Sequence, residues 1–196
     1  MNPEKGKQEI RRRMLERRRA MTSDERASAS LALCRRIEQL PAWERVRVLA
    51  AFWPLGNEPD IVPLLRRWLS LDGHVLALPR IEGPEPSAMR FYQFQNPEAD
   101  LQPGALKLLE PDPSRCEPLG FDAIEWVWVP GVAFDATGNR LGRGRAYYDA
   151  FLARLHPAVE TLGIAYEWQI TPAPLPVEPW DRRLTHVATE LRLLCP

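Results

Sequence analysis

Between Arg140 and Arg145 the chain places three arginines and two glycines in six residues, RLGRGR, followed by Ala146, Tyr147, Tyr148 and Asp149. Guanidinium groups offer forked donors that match phosphate oxygens, and glycine lets backbone N–H groups approach an anion with no Cβ in the way. A helix starting directly afterwards would aim its positive dipole end at the same place. Arg140, Leu141, Gly142, Arg143, Gly144, Arg145 and Ala146 therefore read as a phosphate cradle. The plainer alternative is an ordinary strand-to-helix turn carrying solvated arginines, because short glycine motifs recur in such turns. Asp149, a helical turn beyond, adds a carboxylate suited to a hard divalent cation, and Tyr147 and Tyr148 add flat apolar rings with hydroxyl tips.

Such a loop needs a strand before it and a helix after it. Residues 124–132 are apolar enough for the strand, 147–155 read as a short helix, and 161–166 (TLGIAY) as another strand. A strand–helix–strand crossover makes the two strands parallel and would bring Glu167, Trp168 and Gln169 near the same crevice. Residues 46–53 (VRVLAAFW) form a central strand, apolar on both faces, whose end opens a crevice in a doubly covered sheet. Past that end lies PLGNEPD, where Glu58 is either solvated or the cap of a helix beginning at Pro59. A helix over 60–71 covers the sheet with Leu64, Leu65, Trp68 and Leu69. Strands follow at 74–79, where His74 has no dyad partner nearby, and at MRFYQF. Residues 96–120 read as a long ordered loop, and 187–194 as one last strand.

Residues 5–40 read as two helices joined at Thr22-Ser23-Asp24, which supplies a cap. The first helix is strongly basic, and Arg12, Arg13, Arg17, Arg18 and Arg19 read as a solvated face. Lys7 and Arg11 are four apart, hence on one helix face, and could reach a polyphosphate together. Helices followed by alternating strands and helices predict a three-layer α/β/α domain.

With 196 residues, 45% of them hydrophobic, the chain fits one globular domain, 1–196. Lys plus Arg equal Asp plus Glu at 26 each, which leaves no basic excess for general nucleic-acid binding. No apolar run approaches the ~20 residues that span a bilayer, and the Arg-rich amino terminus also carries Glu4, Glu9 and Glu16, unlike a transit peptide. Cys34, Cys116 and Cys195 lack metal-ligand spacing. The expectation is a soluble, cytoplasmic monomer, with no nucleic acid or membrane as partner.

The stretch VPGVAFD with G, RLGRGRAYYD after it, together with Lys7-x-x-Ile10-Arg11, FWPLGNEPD, MRFYQF, Glu110-Pro111 and Trp180-Asp181, resembles the 5-formyltetrahydrofolate cyclo-ligase (methenyltetrahydrofolate synthetase) family over nearly the whole chain. The resemblance implies a mainly parallel, Rossmann-like (NagB/RpiA/CoA-transferase-like) sheet with N-terminal helices. It implies a ligase that uses ATP and Mg2+ to phosphorylate the formyl oxygen of 5-formyltetrahydrofolate, a reduced folate, and close the ring to 5,10-methenyltetrahydrofolate with release of ADP and phosphate. Lys7, Arg11 and residues 140–148 would then meet ATP. Trp53, Glu58 and residues 143–147 would meet the folate, Arg145 and Tyr147 would be catalytic, and Asp149 and Asp181 would hold magnesium. Phosphoryl transfer asks mainly for positioning and charge neutralisation, in keeping with the lack of a Ser–His or Cys–His set.

Two positions depart from the family pattern. Lys107 stands where the family tends to have glycine, and would add a phosphate contact or narrow the entrance. Ala146 also replaces a glycine: if that position needs positive φ, alanine costs about 1 kcal/mol or more, and if it is the first helical residue it costs nothing. The second is expected. The competing classes are a folate- or nucleotide-binding paralogue without turnover, and an ATP-dependent activator of another formyl or amide compound.

Overall fold

The computed structural model describes residues 3–104, 108–178 and 181–196. Helices α1 (Pro3–Ala20) and α2 (Ser23–Glu38) open the chain. Thr22 separates them through a capping box: its hydroxyl accepts from the Glu25 N–H at 3.2 Å, and the Glu25 carboxylate accepts from the Thr22 N–H at 2.8 Å. Then come α3 (Pro41–Arg45), β1 (Val48–Ala50), α4 (Val62–Leu69), β2 (Val75–Ile81) and β3 (Met89–Phe94). They are followed by α5 (Pro97–Asp100), β4 (Leu101–Pro103), β5 (Leu109–Pro111), β6 (Glu117–Pro118) and β7 (Trp126–Pro130). The last part holds β8 (Ala133–Asp135), β9 (Arg140–Leu141), α6 (Tyr147–Arg154), β10 (Glu160–Ile164), β11 (Ile170–Thr171), β12 (His186–Ala188) and β13 (Leu193–Leu194).

Eight strands form the main sheet in the order β13-β12-β10-β7-β1-β2-β3-β6. The five central ones, β12 to β2, are parallel; β13 and β3 run antiparallel to them on either side, and β6 pairs antiparallel with β3 and so runs in the central direction. The alternation of side chains along each strand sorts the core into two layers. Leu49, Trp126, Trp128, Leu162 and Ile164 point to one face, where Leu33 and Ile37 of α2, Trp43 of α3 and Leu65 and Trp68 of α4 cover them. Ala50, Val127, Val129 and Val187 point to the other, under Phe151 and Leu152 of α6. This is the expected three-layer arrangement with a mainly parallel sheet. A small sheet, β11-β8-β9, lies beside it, and Met14 of α1 packs on Val132, Ala133 and Leu141 there.

Several expectations need correction. The helix after Glu58 begins only at Val62, because Asp60 accepts the Val62 N–H at 3.0 Å. The proline-rich stretch 96–120 is not a plain loop: it holds α5, the β4/β5 hairpin and β6, short pieces in which Pro103, Pro111 and Pro118 sit on sheet edges where a missing N–H costs little. The closing strand is two antiparallel strands, bent where the Thr189 hydroxyl accepts from the N–H groups of Leu191 (3.2 Å) and Arg192 (3.0 Å). Lys107 and Trp180 lie outside the described residues.

Candidate active site

From β1 the chain moves one way along the sheet to β2, and from β7 it moves the other way to β10 and β12. Parallel sheets open a crevice where the winding reverses, beyond the carboxyl ends of the two strands concerned. A cleft of about 490 Å³ lies there, lined by Trp53 and Glu58 after β1 and by Pro130 and Gly131 at the end of β7. Every residue expected to do chemistry lines it: Lys7 and Arg11 from α1, residues 140–149, and Asp181.

The cradle is anchored from behind by Asp135. One of its carboxylate oxygens accepts from the Thr137 N–H and hydroxyl and the Asn139 N–H; the other accepts from the Asn139 side chain (2.9 Å) and the Leu175 N–H (2.8 Å). Burial alone would push this carboxyl up, but those donors outweigh it and hold it below the ordinary range. Beyond β9, Gly144 has φ 92° and faces the Arg11 guanidinium. Ala146 has φ 55° and ψ 9°, the left-handed region, and stands as the N-cap of α6. This corrects the expectation that it is an ordinary first helical residue. Alanine holds the conformation a glycine would adopt, so the loop keeps its shape at a cost of about 1–2 kcal/mol.

Most cations around the cleft already have a carboxylate. Lys7 Nζ donates to Glu178 Oε1 at 3.2 Å and lies 3.9 Å from Asp181 Oδ2. Arg11 pairs with Glu4 at 3.1 Å and donates through Nε to the Gly142 carbonyl at 3.0 Å. Arg140 binds Asp149 and stacks over the Tyr148 ring, 5.6 Å from its centroid. Arg143 donates to Glu58 Oε1 at 2.7 Å. Arg145, by contrast, is exposed and makes no ion pair among the described residues.

The aromatic residues divide between cleft wall and core. Tyr147 is buried and donates its hydroxyl to the Gly83 carbonyl at 3.2 Å, while Trp53 packs against the core beneath β1. The Tyr148 hydroxyl is buried without a partner among the described residues, and burial pushes its ionisation up. Glu167, Trp168 and Gln169 do not line the cleft: Gln169 is buried and donates to the carbonyls of Gly131 (3.1 Å) and Val132 (3.0 Å) from behind it.

The sequence reading missed three participants. Glu178 and Glu110 line the cleft. Arg18, read as solvated, is 4% exposed and donates to Glu58 Oε1 at 3.3 Å and to the Gly131 carbonyl at 2.9 Å. Burial weighs against its charge and Glu58 favours it. A periodic signal is present: Arg18 follows Met14 by four residues and Arg11 by seven, on the buried face of α1, but its neighbouring arginines mask it.

The residues present fit a magnesium–polyphosphate. Magnesium takes one or two carboxylates and fills its remaining positions with water and phosphate oxygens. Asp149 and Asp181 offer such a pair, each beside a cation, Arg140 and Lys7, that could pass to phosphate. No cluster of three or more His, Cys, Asp or Glu side chains able to cage a metal occurs among the described residues.

The chain is 29% identical over 176 residues to the 5-formyltetrahydrofolate cyclo-ligase of Escherichia coli, covering 89% of this chain and 94% of that one. It is 26% identical to the cyclo-ligase of Mus musculus, covering 94% and 93%. The solved 5,10-methenyltetrahydrofolate synthetase of Aquifex aeolicus superposes with a TM-score of 0.83 at 31% identity, covering 96% of this chain and 92% of that one. The model of the 5-formyltetrahydrofolate cyclo-ligase family matches residues 3–190, from the basic face of α1 to the strands beyond Asp181, and the chain belongs to that family.

Proposed function

We propose that the protein converts 5-formyltetrahydrofolate to 5,10-methenyltetrahydrofolate in an ATP- and magnesium-dependent reaction that releases ADP and phosphate. The observation that carries this reading is the Arg143–Glu58 ion pair, which joins the cradle to a carboxylate at the end of β1 inside one cleft. When bound, ATP supplies the phosphoryl group that makes the formyl oxygen a leaving group, and magnesium offsets the polyphosphate charge.

This chain's own residues then bind, align and neutralise. Lys7, Arg11, Arg140, Arg143 and Arg145 hold phosphate oxygens, with backbone N–H groups from Leu141 to Tyr148 closing around them. Trp53, Glu58 and the segment 143–147 hold the folate. Arg145, which has no carboxylate partner among the described residues, and Tyr147 border the reacting groups. Asp149 and Asp181 take the magnesium. The reaction belongs to a single domain, 1–196, acting as a monomer in the cytoplasm without nucleic acid or membrane; no helix among the described residues is long and apolar enough to cross a bilayer.

The test is spectroscopic. Purified protein given 5-formyltetrahydrofolate, ATP and magnesium is expected to develop the near-ultraviolet band of the methenyl product, and to stop when ATP is omitted or magnesium chelated. A protein that binds the folate or ATP by calorimetry yet gives no band is a binding paralogue. ATP turnover with another formyl or amide compound alone would identify a different activator.

A further inference from the structure

Arg18 has one ionic partner among the described residues, Glu58, and we propose that it is a positioning residue that fixes Glu58 for the formylfolate substrate; the proposal rests on the folate reading of this cleft. Burying a guanidinium is unfavourable unless its donors are used, yet Arg18 is 4% exposed and its Nε has no partner among the described residues. An apolar side chain would fill the same space without that cost. What the guanidinium provides is a two-pronged hold, one prong on Glu58 Oε1 at 3.3 Å and the other on the Gly131 carbonyl at 2.9 Å.

Glu58 is held on both oxygens. Oε2 accepts from the Leu55 N–H at 3.0 Å, and Oε1 is shared by Arg18 and Arg143. The two arginines differ in freedom: the Arg18 side chain is 5% exposed and that of Arg143 is 49% exposed. When Arg143 turns to phosphate, Arg18 and Leu55 remain, and Glu58 stays oriented and available to the substrate. Asn57 adds a strap by donating its side-chain amide to the Arg18 carbonyl at 3.4 Å, tying the Glu58 loop to the same turn of α1. The end of α1 thus sets where the folate-side carboxylate stands, while its start reaches the phosphate side through Lys7 and Arg11.

The experiment compares Arg18→Met, Arg18→Lys, Glu58→Gln and the Arg18→Met/Glu58→Gln double variant by steady-state kinetics, with denaturant unfolding alongside. Arg18→Met is expected to raise KM for 5-formyltetrahydrofolate by about tenfold or more and to change KM for ATP less than about twofold, the loss of a charge-assisted hold being felt on one substrate only. Arg18→Lys keeps a charge but satisfies one acceptor at a time, and is expected to restore part of the loss. In the Glu58→Gln background the Arg18→Met step is expected to add less than about twofold, since coupled residues are not additive. Equal rises in both KM values, or an undiminished effect without the Glu58 charge, would reduce Arg18 to a tie between α1 and the sheet and overturn the proposal. Should Arg18→Met not fold, Arg18→Lys decides it, and an unchanged folate KM there overturns it. A wild-type protein without ATP-dependent turnover defeats the functional reading itself, whereas normal wild-type turnover with normal Arg18 variants defeats the positioning role alone.

Discussion

Arg11 donates through Nε to the carbonyl oxygen of Gly142 at 3.0 Å, so that a helix from the start of the chain holds the crest of a loop 131 residues later. The bond pins backbone rather than side chain, and it leaves the other Arg11 nitrogens for Glu4 or a phosphate. Arg11→Ala is expected to do two things at once. It should lower stability by about 1.5–3 kcal/mol, the usual worth of a hydrogen bond to a charged group, and raise KM for ATP. Urea unfolding and steady-state kinetics on one preparation check both.

Arg145 provides the contrast. It bonds to no carboxylate among the described residues and stands exposed at the cleft, so its removal takes nothing from the fold. Arg145→Ala should leave the unfolding midpoint unchanged and raise KM for ATP by roughly tenfold or more, as expected for the loss of one charge-assisted phosphate contact. Unchanged ATP kinetics would take this arginine out of the site.

Ala146 at φ 55° carries the strain that the cradle tolerates. Ala146→Gly removes the Cβ penalty of about 1–2 kcal/mol, partly offset by the greater freedom of glycine in the unfolded chain. The expected outcome is a net gain of about 0.5–1 kcal/mol in urea unfolding, with no loss of turnover. A destabilised variant would mean that the loop has another shape.

Asp135 links the cradle to pH. Its carboxyl lies below the ordinary value in the folded protein, because its N–H and hydroxyl donors outweigh burial. A lowered folded-state value gives stability that is full above the unfolded carboxyl value of about 4 and is lost as pH falls through the folded one. Asp135→Asn turns an amide N–H toward donors on Asn139, Thr137 or Leu175. It should cost about 1–3 kcal/mol at pH 7, with the gap to wild type narrowing below about pH 4. Unfolding curves at pH 7 and in the acid range decide it.

Much of this organisation was legible in the sequence, for physical reasons. The apolar run at 124–132 and the spacing of Leu64, Leu65 and Trp68 mark a buried strand and its covering helix, and the glycine–arginine run marks a loop with uses for both residue types; on α2 the spacing of Ala27 and Leu31 misleads, because Leu31 is exposed and Leu33, Cys34 and Ile37 face the sheet. Short edge pieces escaped because β4, β5 and β6 are only two or three residues long and end in proline. Arg18 escaped because its charge groups it with the other arginines as one solvated face, although its spacing from Met14 puts it on the buried side of α1. The left-handed Ala146 escaped because alanine is the strongest helix former, and its propensity argued for the wrong conformation.

Among the described residues the cleft's charges nearly cancel: Lys7, Arg11, Arg140, Arg143 and Arg145 face Glu4, Glu58, Glu110, Asp149, Glu178 and Asp181. Such a surface projects little positive potential into solvent, so a bare polyanion gains little by drifting toward it. A polyanion that arrives with its own divalent cation meets a different situation, because the metal can take up carboxylates while the phosphates take up the cations released from them. Partner exchange of this kind favours a metal-bound polyphosphate over a bare one without a steric gate.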